Sequence, residues 1–221
     1  REQTKKLREA TFSGHDIVGE VVRLAAMNLY LHGIGNGESP IDNRDALSRP
    51  DGPYDVILTN PPFGKKSSFK VIGDDGAVST ETESYEREDF KYTTSNKQLN
   101  FLQHIMSVLA VNGEAAVVLP DNVLFEAGQA GEGIRKRLLN QFEFHTLLRL
   151  PTGIFYKQGV KANVLFFTKR AASMEKQTSQ LWIHDLRTNM NFTLKKNRLT
   201  RLDLDEFVAN YKTGARHKRK E

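Results

Sequence analysis

No cysteine occurs in the 221 residues, so neither a disulfide framework nor a thiolate metal site can be built. The six histidines are scattered without metal-ligand spacing, and no metal is expected. No apolar run approaches membrane-spanning length and no secretory segment is visible, so a soluble, cytoplasmic protein is the expectation. Internal repeats are absent, as is any nucleophile–base arrangement of the hydrolytic kind. Charge of one sign is scarce too: 32 Lys+Arg against 27 Asp+Glu leave +5, a balance compatible with nucleic acid but not diagnostic of it. Much of that excess sits in Lys212, Arg216, Lys218, Arg219 and Lys220, which read as a solvated tail. An initiator Met is also missing: the chain starts on Arg1 amid a highly charged stretch, and is expected to begin inside a longer protein. Its length suits one large or two small domains with a substantial core.

The most informative stretch runs from Tyr54 to Gly64, Tyr-Asp-Val-Ile-Leu-Thr-Asn-Pro-Pro-Phe-Gly. Val56, Ile57 and Leu58 form a continuous apolar run, predicting a short buried strand over 55–59. Pro61 and Pro62 fix φ twice and remove two amide donors, so the strand cannot continue. Pro61 also pushes Asn60 into an extended conformation. A stiff backbone therefore presents one amide and one ring at the carboxyl end of a strand, where open α/β sheets bind ligands. The Asn60 amide oxygen and the Pro61 carbonyl are two acceptors suited to the two N–H bonds of an exocyclic amine. Accepting both draws the amine's lone pair out of conjugation and frees it for attack, while Phe63 can stack on the base. The alternative reading is a rigid Pro-Pro turn.

Around it the chain alternates. A strand is expected over 11–17 and a helix over 18–32, with an apolar stripe through Val21, Val22, Leu24, Ala25, Met27, Leu29 and Tyr30 and a stop at Gly33. A weak strand over 38–43 follows. Residues 65–95 read as a long polar loop, either a lid over nucleic acid or a mobile segment. Leu99, Leu102, Ile105, Met106 and Leu109 recur at helical spacing in a helix over 96–110, closed by Asn112-Gly113. Strands are expected over 114–120, 142–150, 162–168 and 180–186. Helices are expected over 131–141, with Ile134, Leu138 and Leu139 inward, and over 203–211. Trp182, Ile183 and Leu186 are expected to pack. The alternation implies a mostly parallel, doubly wound sheet. The strand over 162–168 follows a short loop without a helix and should enter antiparallel.

Asn60-Pro-Pro-Phe63 behind a hydrophobic strand resembles the signature of DNA adenine methylases. Thr94-Ser-Asn-Lys-Gln-Leu-Asn-Phe-Leu-Gln-His-Ile105, Val117-Val-Leu-Pro-Asp-Asn-Val-Leu-Phe125, the stretch from Leu150 to Thr168 and Asp185-Leu-Arg-Thr-Asn-Met190 resemble, in the same order, the methylation subunits of type I restriction–modification systems. The resemblance implies a Rossmann-like class I methyltransferase fold with a mostly parallel sheet and an antiparallel last strand. It also implies transfer of a methyl group from S-adenosylmethionine to the N6 of a flipped adenine. The other readings are a non-catalytic module in DNA or subunit binding, and an RNA or protein methyltransferase sharing the tetrapeptide. Partners implied are DNA and the specificity and restriction subunits of a multi-subunit complex.

Within that resemblance Asn60, Pro61, Pro62 and Phe63 are the catalytic loop. Asp16, at a strand's end, is the candidate for the cofactor's ribose, or else a helix cap. Asp45 is the candidate for the cofactor's adenine amine, or else an ordinary loop residue. Phe155, with Tyr156 as the alternative, would face Phe63 across the base, or else be a core ring beneath a loop. Lys65, Lys66, Lys157 and Lys161 are candidates for DNA phosphates. The family's glycine-rich cofactor loop and first strand should precede Thr11 and are not in this chain. Poor cofactor binding by this piece and two unpaired strand edges are the expectations. Residues 1–175 read as a partial catalytic domain and 176–221 as an extension.

Overall fold

The structure, a computed structural model, describes residues 2–35, 37–64, 68–72, 78–82, 84–155, 159–187 and 192–219. Two compact units make up the chain, Arg1–Asp51 and Gly52–Glu221.

In the first unit helix α1 (Glu2–Ala10) precedes strand β1 (Gly14–Asp16), helix α2 (Gly19–Leu31) and strand β2 (Ile41–Asn43). β1 and β2 pair in parallel, Gly14 opposite Ile41 and Asp16 opposite Asn43. The Asn43 amide extends the pairing by donating to the carbonyls of Asp16 and Ile17 at 2.9 and 3.0 Å. α2 stops as its sequence dictates. Gly33 takes a left-handed φ of 69°, and the amides of Gly33 and Ile34 return to the carbonyls of Tyr30 and Leu29, closing a Schellman turn. No residue of α2 is buried. Its apolar stripe, at Val21, Leu24, Met27 and Tyr30, stays exposed.

The second unit is built on a five-stranded sheet in the order β3-β6-β8-β7-β9: Tyr54–Thr59, Leu109–Pro120, Ala162–Lys169, Phe142–Leu150 and Trp182–Asp185. β3 runs parallel to β6 and β9 parallel to β7, while β8 is antiparallel to both of its neighbours. The antiparallel entry expected of 162–168 is thus observed. Its consequence is geometric: β8 starts at the rim where β3 and β6 end. Helices α3 (Lys97–Val108), α4 (Asp121–Phe125) and α5 (Gly128–Gln141) supply the main core with Leu99, Leu102, Ile105, Met106, Ile134 and Leu138. Against them stand Phe142 and Phe167, edge to face at 5.6 Å. Each such side chain contributes roughly 1.5–3 kcal/mol on burial. A second cluster, around Leu148, Leu150, Ala162, Leu186 and Phe207, includes helix α6 (Asp205–Tyr211). There Phe207 stacks on Trp182 at 5.7 Å.

Several sequence expectations give way. The strand over 55–59 is not buried: Val56 and Leu58 are 64% and 78% exposed. Among the described residues β3 pairs on one side only, so it forms an edge, and an edge strand with one face uncovered cannot hide alternate side chains. Residues 65–95 are not all loop: β4 (Ser68–Ile72) and β5 (Val78–Thr82) form an antiparallel hairpin. Asn112-Gly113 does not close α3. The helix ends at Val108 and the two residues lie inside β6, where the pairing with β3 slips between Tyr54 and Val56. Asn112 there has φ 65°, and a β-carbon on Gly113 would lie about 3 Å from three backbone carbonyl oxygens. Of the apolar residues expected to pack near the last strand, Ile183 is 53% exposed, whereas Trp182 and Leu186 do pack.

Of the basic terminus, Lys212 and Lys218 are exposed as expected and Lys220 lies outside the described residues, but Arg216 and Arg219 are not solvated. Arg216 donates to Glu143 at 2.7 Å and to Glu114 at 3.2 Å. Arg219 lies 4.9 Å from the ring centre of Trp182 and 4.8 Å from that of Tyr211, and donates to the Thr146 hydroxyl at 2.7 Å and the His145 carbonyl at 3.2 Å. Partly buried carboxylates and aromatic faces hold guanidinium groups that the sequence leaves free. Burial, helped by Arg216, pushes the imidazole of His145 down to about 3, so it stays neutral.

Candidate active site

β3 ends at Thr59, and the next four residues are anchored by their proline: Pro61 is buried, Pro62 and Asn60 are exposed, and Phe63 is half-buried. Asn60 therefore stands at the strand's carboxyl end rather than in the core. Beside it a cavity of about 310 Å³ is lined by Phe63, Gly64, Gln98, Pro120, Asp121, Asn122, Gly159, Val160 and Lys161. Three chain reversals build it: the catalytic-loop candidate after β3, the β6–α4 junction, and the approach to β8.

The junctions are pinned by side chains remote in sequence. The Asp121 amide donates to the Lys161 carbonyl at 2.8 Å. The Asp121 carboxylate accepts from the Asn163 amide at 2.6 Å and faces Arg187 at 3.4 Å; Arg187 in turn forks onto Asp185. Asn122 donates to Gln98 at 2.9 Å. Gln98 sits in the first turn of α3, where the Asn96 side chain caps the amides of Gln98 and Leu99. Asn100 reaches the Thr94 carbonyl and Gln103 brackets Tyr92 through both backbone groups. The amides in the 94–105 stretch thus hold the segment entering α3 against the helix. Sequence patterns assign no role to Gln98, Asn163 and Arg187. Across the cavity wall their partners lie 24, 42 and 66 residues away, and only Arg187 has a local partner as well, in Asp185.

The rings of Phe63 and Phe155 meet edge to face, 5.1 Å apart at 82°. Phe155 also packs against the second core cluster, so the pairing with Phe63 and the bland role of a core ring are both present. Lys161 is exposed on the cavity wall. Asn60 and Phe155 are not among the lining residues. Tyr156, Lys157, Lys65 and Lys66 lie outside the described residues. In the first unit, an oxygen of Asp16 accepts from the Val18 amide at 2.8 Å and one of Asp45 from the Leu47 amide at 2.9 Å, so each shapes its own turn. Nearby, the hydrogen bond from Arg44 holds the carboxyl of Asp51 below the usual range.

An exposed amide after a proline-anchored strand, an aromatic pair and a cavity at the carboxyl rim suit a planar base bearing an amine. A family model described as N-6 DNA Methylase matches residues 1–220. The chain belongs to the N-6 DNA methylase family. It is 42% identical over 213 residues to the type I restriction enzyme StySPI methylase subunit of Salmonella potsdam and equally to the EcoKI methylase subunit of Escherichia coli. Each match covers 90% of this chain and 37% of the relative, so the chain spans little more than a third of their length. The crystal structure of the EcoKI M protein superposes with a TM-score of 0.73 at 40% identity, over 95% of this chain and 42% of that one. The fold is that of the class I S-adenosylmethionine-dependent methyltransferases. Among the described residues no helix is long and apolar enough to cross a membrane.

Proposed function

We propose that the chain is the catalytic portion of a site-specific adenine-N6 DNA methyltransferase, the modification subunit of a type I restriction–modification system. It would act with a specificity and a restriction subunit in the cytoplasm. The observation that carries this reading is Asn60, exposed at the end of β3 and tethered by buried Pro61 beside a cavity that Phe63 lines. Residues 1–175 are the partial catalytic domain, and 176–221 an extension whose β9 and α6 complete its sheet and second core.

The target adenine leaves the DNA stack, at a cost of a few kcal/mol offset by stacking and hydrogen bonds inside the enzyme. The Asn60 amide oxygen and the Pro61 carbonyl accept the two amine hydrogens, and the nitrogen lone pair turns out of the ring's conjugation. S-adenosylmethionine, when bound, supplies an electrophilic methyl group on a sulfonium. With that group bound, the lone pair freed by Asn60 and Pro61 would be the nucleophile toward the methyl carbon, the sulfonium would leave as the neutral thioether, and the methylated nitrogen would give its extra proton to solvent. Most of the acceleration comes from position. Asp16, with one carboxylate oxygen committed to its turn, and Asp45 fit polar groups of the cofactor, its ribose hydroxyls and adenine amine respectively.

A base clamped between Phe63 and Phe155 needs ring planes about 7 Å apart, twice an ordinary carbon contact. The observed edge-to-face contact at 5.1 Å leaves no such gap, so gripping the base requires one ring to swing. Asn60→Ala in the intact subunit should abolish methylation and largely spare cofactor binding, measured by calorimetry with S-adenosylmethionine. Wild-type methylation in that variant would refute the assignment.

A further inference from the structure

Between Asp185 and Asp203 the sequence holds no acidic residue but five basic ones, Arg187, Lys195, Lys196, Arg198 and Arg201. Arg187 is spent on Asp185 and Asp121, and Arg201 on Asp205. Among the described residues no carboxylate lies within ion-pair distance of Lys195, Lys196 or Arg198, whose side chains are exposed. A run of charge is ordinarily a solvated face, but this one is built in place. The Thr193 hydroxyl accepts from the amides of Lys196 and Asn197 at 3.1 and 2.9 Å, and the Thr193 amide donates to the Asn197 carbonyl at 2.7 Å. Arg198 reaches back to the Leu194 carbonyl at 2.6 Å. Phe192, buried, seats the turn: its carbonyl lies against Gly153 so closely that a β-carbon there would be 2.0 Å away.

That seat fixes where the charges stand. Lys195 and Arg198 wall a groove of about 640 Å³ together with Ile154, Thr193, Leu194 and Leu199. Ile154 adjoins Phe155, whose ring touches Phe63, and Phe63 lines the candidate base cavity. Lys195 and Arg198 therefore stand on a groove that reaches Ile154, the neighbour in sequence of the ring that meets Phe63.

We infer that the turn over residues 193–198 is a phosphate clamp, with Lys195, Lys196 and Arg198 gripping the DNA backbone next to the extruded adenine. The inference rests on the methyltransferase reading. Its contribution is sequence-independent, as side chains on phosphates position the duplex without reading it. Neutralising any one of these cations should flatten the dependence of log affinity on log salt by about 0.9.

The test replaces all three with glutamine (Lys195→Gln, Lys196→Gln, Arg198→Gln) in the full-length subunit within its DNA-methylating assembly. DNA binding is then titrated from 50 to 200 mM salt. The slope should fall by about 2.7, so that the wild-type advantage shrinks about 40-fold over that range, equally on target and non-target duplexes. Because Arg198 also braces the turn, Lys195→Gln with Lys196→Gln is the second variant, expected to lower the slope by about 1.8. Unchanged slopes in the double variant, with an unchanged melting temperature, overturn the clamp. Asn60→Ala runs alongside: lost methylation with an intact salt slope leaves the enzyme reading standing by itself, while retained methylation removes it whatever the lysines do.

Discussion

Gly153 offers a substitution whose cost can be worked out from coordinates. Its φ is 87°, left-handed territory, and a β-carbon would sit 2.0 Å from the Phe192 carbonyl oxygen and 2.9 Å from the carbonyl carbon. Gly153→Ala thus incurs two penalties. Backbone strain alone is worth about 1–2 kcal/mol for an L-residue in this region. The clash cannot be relieved by rotating a side chain, since the obstacle is backbone, so the rim and the 192–198 turn must part by roughly 1 Å to restore an ordinary carbon–oxygen separation. Together we expect about 2–4 kcal/mol, a melting-temperature drop of roughly 5–15 °C for a chain of this size. Gly128→Ala isolates the strain from the clash: φ there is 90°, with nothing within 4 Å of the new carbon. Thermal denaturation of both variants, read by circular dichroism, should place Gly153→Ala well below Gly128→Ala. If the two melt within about a degree of each other, the close seating of Phe192 on the rim is wrong, and with it the placement of the basic turn.

Two more outcomes can be checked. His145 remains neutral when folded, with its value pushed down to about 3, whereas in the unfolded chain it titrates near 6.5. Between those values the unfolded state binds the extra proton, so stability falls as pH drops below 6.5, by about 2 kcal/mol at pH 5. Urea melts at pH 7.5 and 5 should show that loss in wild type and much less of it in His145→Gln; identical losses would contradict the assignment. Phe155→Leu removes an aromatic pairing worth about 0.5–1.5 kcal/mol beyond burial. It should weaken the fluorescence of 2-aminopurine placed at the target position while leaving cofactor affinity in the intact enzyme unchanged, and an undiminished signal would argue against a role in holding the base.

How much was legible follows from how far each signal had to reach. Phe142–Leu150 and the α3 stripe of Leu99, Leu102, Ile105 and Met106 were readable because periodicity is local and burial followed it. Asn60 to Phe63 was readable because two prolines act on their own backbone. The hairpin of β4 and β5 was missed under its acidic, polar composition, although Asp75-Gly76 between two short strand-forming runs is a turn signal. Asn112-Gly113 resembles a helix stop because its backbone preference is the same in a strand irregularity. Arg216 and Arg219 were misjudged because their partners, Glu143, Glu114 and Trp182, stand far off along the chain and only the folded sheet brings them near. The polar bracing of the cavity by Gln98, Asn163 and Arg187 was invisible for the same reason.

The flank of β3 that is unpaired among the described residues has a practical corollary. Tyr54-Asp-Val-Ile-Leu-Thr59 combines strong β-formers with a single charge, and its outer row of amides and carbonyls is a template on which another copy's strand can zip up. Prepared as it stands, the polypeptide would be colloidally fragile, and a lysine placed at Val56 or Leu58 would act as a gatekeeper against that intermolecular growth.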